Sequence, residues 1–340
     1  MNHTVELLRF LFAVVIVIHH IAIVTGTETP MPMGAIGVEF FYILTGYFMI
    51  KHIKKESNSQ PMTMVYAMNY TLKKFIRLAP YIMGGTILMI IADIVCNHRI
   101  SVEYIFWEIT QLNMVAAPDV TSILVYSNAP YWFLSAMFVT LPLVTYLIGR
   151  YSDFFENYLM WFLPPVLLLY LTKVSGMSTS WGDYSFLYTA VYRAFAEILM
   201  GCSLYSVVNW INTKTDSHKE QFLWRMMCLI VAMALLGVVL YNCCVLVVSA
   251  IFLTYVIFLF LALVLSNVYP QVKVKAFVFL GRVALPMYCF HSSILKLVRR
   301  MIDLPAAPRI AGLVFVIALV ISLSIYFDKK LSKTKRVYQN

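Results

Sequence analysis

Arg9 and His20 lie 11 residues apart in the first apolar run of this 340-residue chain, Arg9-Phe10-Leu11-Phe12-Ala13-Val14-Val15-Ile16-Val17-Ile18-His19-His20. In a helix that separation puts them within about 20° of one face and about 16 Å apart along the axis. An ionisable side chain in a hydrocarbon span costs several kcal/mol unless it faces a protein interior, so the pair marks a functional face. Glu39 stands in a second apolar run, at a depth that a short connection brings level with His20. A carboxylate beside an imidazole fixes its tautomer, as a base-orienting partner does. Spacing alone leaves a structural Glu–His contact between two helices as the alternative.

Lys73, Lys74 and Arg77 precede a third apolar run and are expected at the level of Arg9. Cations gathered there suit phosphate groups, whereas Lys51, Lys54 and Lys55 read as topology anchors. Arg193 and Glu197 are four apart in a later run and predict an ion pair on one helix face, either a structural clamp or a substrate contact. His291, in Met287-Tyr288-Cys289-Phe290-His291, is a further candidate for lining the site, with His3 and His19 as bystanders.

The elements that must position these groups follow from composition. With 61% hydrophobic and 12% charged residues the chain departs from soluble proteins, in which about 25% are charged. Runs able to cross a roughly 30 Å hydrocarbon core occur near 5–24, 34–50, 76–95, 131–149, 158–172, 184–208, 225–241, 245–265, 277–295 and 309–327. The expectation is therefore an all-α, polytopic integral membrane protein of about ten transmembrane helices, forming a single domain over residues 1–340. The seventh and eighth runs are expected to turn near Asn242, and the fifth to bend at Pro164 and Pro165.

Segments on the side of the N-terminus would hold 19 of the 26 Lys and Arg, which places both termini in the cytoplasm and the chain in the cell membrane, among its lipids. The net charge of +10 thus lies in short connections, and no nucleic-acid partner is expected. Lys296, Arg299, Arg300 and Arg309 break this bias from the outer side, where they would gather an anionic acceptor or pair with acids such as Asp303. The first run carries Arg9 and two histidines and lacks a small-residue cleavage site, so it reads as a retained span. Six cysteines without a Cys-x-x-Cys spacing read as packing residues, and no metal site is expected.

Taken in order, these residues resemble the membrane acyltransferase-3 family. The matching features are Arg9 with His20, Gly37-Val38-Glu39-Phe40-Phe41 with Thr45-Gly46, and Arg77-Leu78-Ala79-Pro80. Tyr131-Trp132-Phe133-Leu134-Ser135, Arg193 through Glu197 to Gly201, and Leu280-Gly281 through Tyr288 to His291 follow in family order. The resemblance implies an O-acyltransferase, most often an O-acetyltransferase. Its donor would be acetyl-CoA or another acyl-CoA, used as a substrate with no tightly bound cofactor. Its acceptor would be a hydroxyl of a cell-envelope or exported polysaccharide or glycolipid.

Carried over by position, His20 resembles the essential histidine and Glu39 its acidic neighbour. Arg9 and Arg77, with Lys73 and Lys74, would serve acyl-CoA. Trp132, Arg193, Glu197 and His291 would be substrate or structural contacts. Many relatives have Trp-x-Leu-x-x-Glu where this chain has Trp132, Leu134 and Met137, which hints at a divergent acceptor. No appended hydrolase-like domain is present, so a second transfer step would call on a partner protein, and a homodimer is compatible with the sequence.

The two charged levels suit this chemistry, because about 16 Å is close to the reach of a pantetheine arm. His20 is expected to act as general base on the acceptor hydroxyl, with a covalent acyl intermediate left open. The rival is a proton-coupled secondary transporter using the His–Glu pair. Such folds often carry inverted repeats, and none is visible between the halves of this sequence.

Overall fold

A computed structural model describes residues 2–25, 31–56, 63–96, 98–116, 128–175, 183–184, 187–215, 217, 221–245 and 249–300. The main helices, leaving aside segments of a single turn, are α1 (His3–Thr25), α2 (Gly37–Glu56), α3 (Met64–Val95), α4 (Val102–Thr110), α5 (Trp132–Arg150), α6 (Met160–Ser175), α7 (Thr189–Thr215), α8 (Phe222–Val245), α9 (Ala250–Leu265) and α10 (Lys275–Arg300). Among the described residues, eight helices are long and apolar enough to cross a membrane, α6 being counted with the helical turns that lead into it from Ser152, and α9 is a shorter apolar helix. The nine residues of α4 are too few to span. A two-residue antiparallel ladder pairs Asp183 with Tyr188. The expected tenth run, with Asp303 and Arg309, lies outside the described residues.

Local capping chemistry moves several boundaries from where the apolar runs place them. Thr63 accepts a hydrogen bond from the Tyr66 amide at 3.2 Å and starts α3 well before its apolar stretch. Lys73, Lys74 and Arg77 consequently lie about 14–20 Å into a 32-residue helix rather than ahead of it. The seventh and eighth runs part between Val245 and Ala250, just past Asn242. Asn242 sits in the last turn of α8, donating to the Val238 carbonyl at 2.8 Å, and Ser249 caps α9. At the far end, α10 continues to Arg300, so Lys296, Arg299 and Arg300 belong to a helix and not to a loop. Pro164 and Pro165 lie inside α6, which follows a π-helical turn at Phe155–Leu159.

The chain forms two compact units, each assembled from separated segments. The first comprises residues 1–30, 77–131 and 273–340. Here α1 runs against α10 so closely that a Cβ at Gly281 would strike the Glu6 side chain. Tyr131 reaches the carbonyls of Ile82 and Cys289 at 3.1 and 3.3 Å, over the hydrogen-only face of Gly85.

The second unit comprises residues 31–76 and 132–272. Its centre is the contact of α2 with α7, where Gly46 and Gly201 face one another. A Cβ at Gly46 would run into the Ile198 carbonyl, and one at Gly201 into the Ile43 carbonyl. Small residues let membrane helices pack backbone to backbone, which explains why Thr45-Gly46 and Gly201 recur among the motif positions.

Candidate active site

In the first unit, the Ile16 carbonyl accepts a hydrogen bond from His20 Nδ1 at 2.8 Å. A ring nitrogen that donates to a carbonyl carries the proton, so the lone pair of neutral His20 is on Nε2. The expected orienting group was Glu39, but one turn of α1's own backbone sets this tautomer. The His291 ring lies 4.9 Å from that of His20, centroid to centroid. Its Nδ1 donates to the Tyr288 carbonyl at 2.6 Å, which leaves Nε2 as the bare nitrogen there as well. His291 is 2% exposed, and its Nε2 has no hydrogen-bond partner. Tyr288 is committed elsewhere, its hydroxyl donating to the Pro130 carbonyl.

In the second unit, Glu39 occupies the first turn of α2 and is fully buried. Arg193 bridges the Glu39 and Glu197 carboxylates, with Nη2 on Glu39 and Nε 3.0 Å from Glu197 Oε1. The i,i+4 pair thus forms as its spacing predicts, but it also captures the carboxylate assigned to His20 from sequence. Thr254 Oγ1 lies 3.0 Å from the other oxygen of Glu39, and the guanidinium stands 5.8 Å from the centre of the Trp132 ring. These residues all sit near the N-terminal ends of α2, α5, α7 and α9, the even-numbered runs that alternating topology starts at one face.

Two sites of buried polar chemistry among long apolar helices narrow the possibilities, and comparison with known proteins settles the family. The acyltransferase-3 family, described as an acyltransferase domain, matches residues 2–328. The chain belongs to this family. It is accordingly a multi-pass membrane acyltransferase. No curated protein and no solved structure matches it.

The basic residues of this acyltransferase are not all equally available. Arg9 Nη1 is 3.1 Å from Glu6 Oε2, on the acid one turn before it. Lys73 and Arg77 are exposed on successive turns of α3, and among the described residues neither has an ion-pair partner. Lys54 is tied to Glu156 at 2.5 Å. Lys296 pairs with buried Asp93 of α3, an acid not considered from the sequence, while Asp303 lies outside the described residues.

The acyltransferase also buries Glu108 of α4, a residue that no spacing or motif singled out. Its carboxyl accepts from the Asn128 amide at 2.6 Å and meets Thr86 Oγ1 at 2.6 Å. Thr86 Oγ1 is in turn 3.0 Å from the Ile82 carbonyl, so a protonated Glu108 can donate to Thr86 while Thr86 donates onward. Burial pushes the Glu108 pKa up to about 7, against the lowering effect of its two hydrogen bonds. Because the folded value exceeds the ordinary 4.5, the neutral acid is the form favoured by folding.

This stabilisation is complete below pH 4.5 and is lost as pH rises through about 7. Its loss amounts to up to about 3 kcal/mol at about 1.4 kcal/mol per unit. Once the intrinsic base-catalysed rise is divided out, hydrogen exchange of α4 amides should still accelerate between pH 6 and 8 in the native protein. In Glu108→Gln, which keeps the acceptor without the charge, that acceleration should vanish. An unchanged pH dependence in the variant would place the titrating group elsewhere.

Proposed function

We propose that this acyltransferase moves an acyl group, most often acetyl, from acyl-CoA to a hydroxyl of a cell-envelope or exported glycan, and that His20 Nε2 is the nitrogen at the reaction centre. The observation that carries this reading is the fixed tautomer of His20. A carbonyl holds Nδ1–H, so Nε2 offers a lone pair without any further proton transfer. Coenzyme A presents phosphates at one end and the thioester at the end of a long arm. Arg9, Arg77 and Lys73 are cations of the kind that bind such phosphates, Arg through its bidentate fork.

The buried cluster of Glu39, Arg193, Glu197 and Trp132 serves this chemistry by fixing the helices of the second unit. The membrane would be the cytoplasmic one, with both termini inside, because most Lys and Arg fall on that side. Purified protein in lipid vesicles should release free thiol from acetyl-CoA. Mass spectrometry of envelope glycans should show ester-linked acyl groups that disappear when the gene is removed. Absence of thiol release, with glycans unchanged by deletion, would end this reading.

A further inference from the structure

His291 presents a buried, unpartnered Nε2 beside the reacting histidine, and such atoms are rare enough in folded proteins to need a reason. Both imidazoles are locked in the same tautomer by backbone carbonyls, so two bare Nε2 nitrogens stand on rings 4.9 Å apart. A single base for a direct transfer would need only one of them. The rings are tilted by 59° rather than stacked, which leaves room for a group bonded to one nitrogen to face the other ring.

We infer that the two histidines divide the reaction: His20 is the nucleophile that accepts the acyl group, and His291 is the base that activates the acceptor hydroxyl. This rests on the assignment of His20 to acyl transfer and specifies how it occurs. In the first step the Nε2 lone pair of His20 forms a bond to the thioester carbonyl carbon. The carbon–sulfur bond breaks with its electron pair going to sulfur, and coenzyme A leaves as the thiolate. His20 then carries the acyl group on Nε2 as a cation, its Nδ1–H still held by the Ile16 carbonyl.

In the second step the acceptor oxygen bonds to the acyl carbon as its proton passes to His291 Nε2. The bond from carbon to His20 Nε2 breaks with its electron pair returning to the nitrogen. The proton on His291 finally goes to the thiolate or to solvent, so the sum is acyl-CoA and alcohol to ester and free thiol. The spacing suits the step, since an attacking oxygen sits about 3 Å from the acyl carbon and within about 2.8 Å of its base.

The test uses the full-length protein in vesicles with radiolabelled acetyl-CoA and no glycan. Wild-type protein should release about one equivalent of thiol in a burst and carry acid-labile label on His20, then turn over slowly by hydrolysis. His291→Gln should give the same burst and the same label, but subsequent release should fall by about 10²–10³-fold. Hydroxylamine, which attacks an acyl-imidazole without needing a base, should restore release in that variant. His20→Ala should show no burst.

Thiol release without labelled His20 would overturn the divided roles while leaving the acyl-CoA reading intact. No thiol release from wild-type protein would overturn both. A His291→Gln protein that folds but loses the burst as well would show that His291 is not reserved for the second step.

Discussion

His20→Ala should lower acyl transfer by at least about 10³-fold, while His19→Ala, one residue earlier, should retain most of it. The two side chains differ by about 100° around α1. Only His20 has its ring tautomer set by the Ile16 carbonyl and the buried His291 beside it. General-base help alone is worth about 10²–10⁴-fold, and loss of a nucleophile removes the covalent route altogether. Removing the imidazole should disturb folding little, because the ring is half-buried and its polar bond is to the helix that carries it. The comparison needs thiol release by purified protein together with the ester content of envelope glycans in cells, at matched expression. Equal activity in the two variants would remove His20 from the reaction.

How much of this was legible in the sequence depends on the physical origin of each feature. The long apolar runs had to become helices, because backbone polar groups in hydrocarbon must pair within their own segment. Boundaries were less legible where a cap overrode hydropathy. Thr63 starts α3 in a polar stretch, and no stop signal follows Ile294, so α10 runs on through Arg300. The pairing of Arg193 with Glu197 was readable because i,i+4 contact is a local property.

The destination of Glu39 was not readable, since depth in a membrane says which groups are level but not which helices are adjacent. Sequence order made α1 the expected partner of α2, and within the second unit the glycines at 46 and 201 bring α7 onto α2. Asp93 and Glu6 carried signals that went unused: an acid inside an apolar run, and an acid three residues before Arg9. Glu108 carried none. Its importance arises from burial against Thr86 and Asn128, which sequence distance conceals.

Arg193→Met should destabilise the second unit by about 3–5 kcal/mol, the cost of breaking a buried ionic cluster by removing one partner. Arg193 is 4% exposed and Glu39 and Glu197 are fully buried, so the variant would leave two carboxylates without their shared cation. Arg193→Lys should recover part of the loss. An ammonium is a point charge that cannot span both acids while resting on the Trp132 face, as the planar guanidinium does.

The decisive variant combines Arg193→Met with Glu39→Gln and Glu197→Gln. If the defect of the single variant is stranded charge, removing that charge should return most of the stability, although four helices keep less polar adhesion. Thermal or denaturant unfolding in detergent, followed through the α2 and α7 helices, measures all four proteins. Wild-type stability in Arg193→Met, or no recovery in the triple variant, would mean that the cluster holds α2 to α7 by shape and not by charge. The facing glycines at 46 and 201, with the neighbouring Tyr47–Tyr205 and Cys202–Gly46 contacts, would then hold that interface.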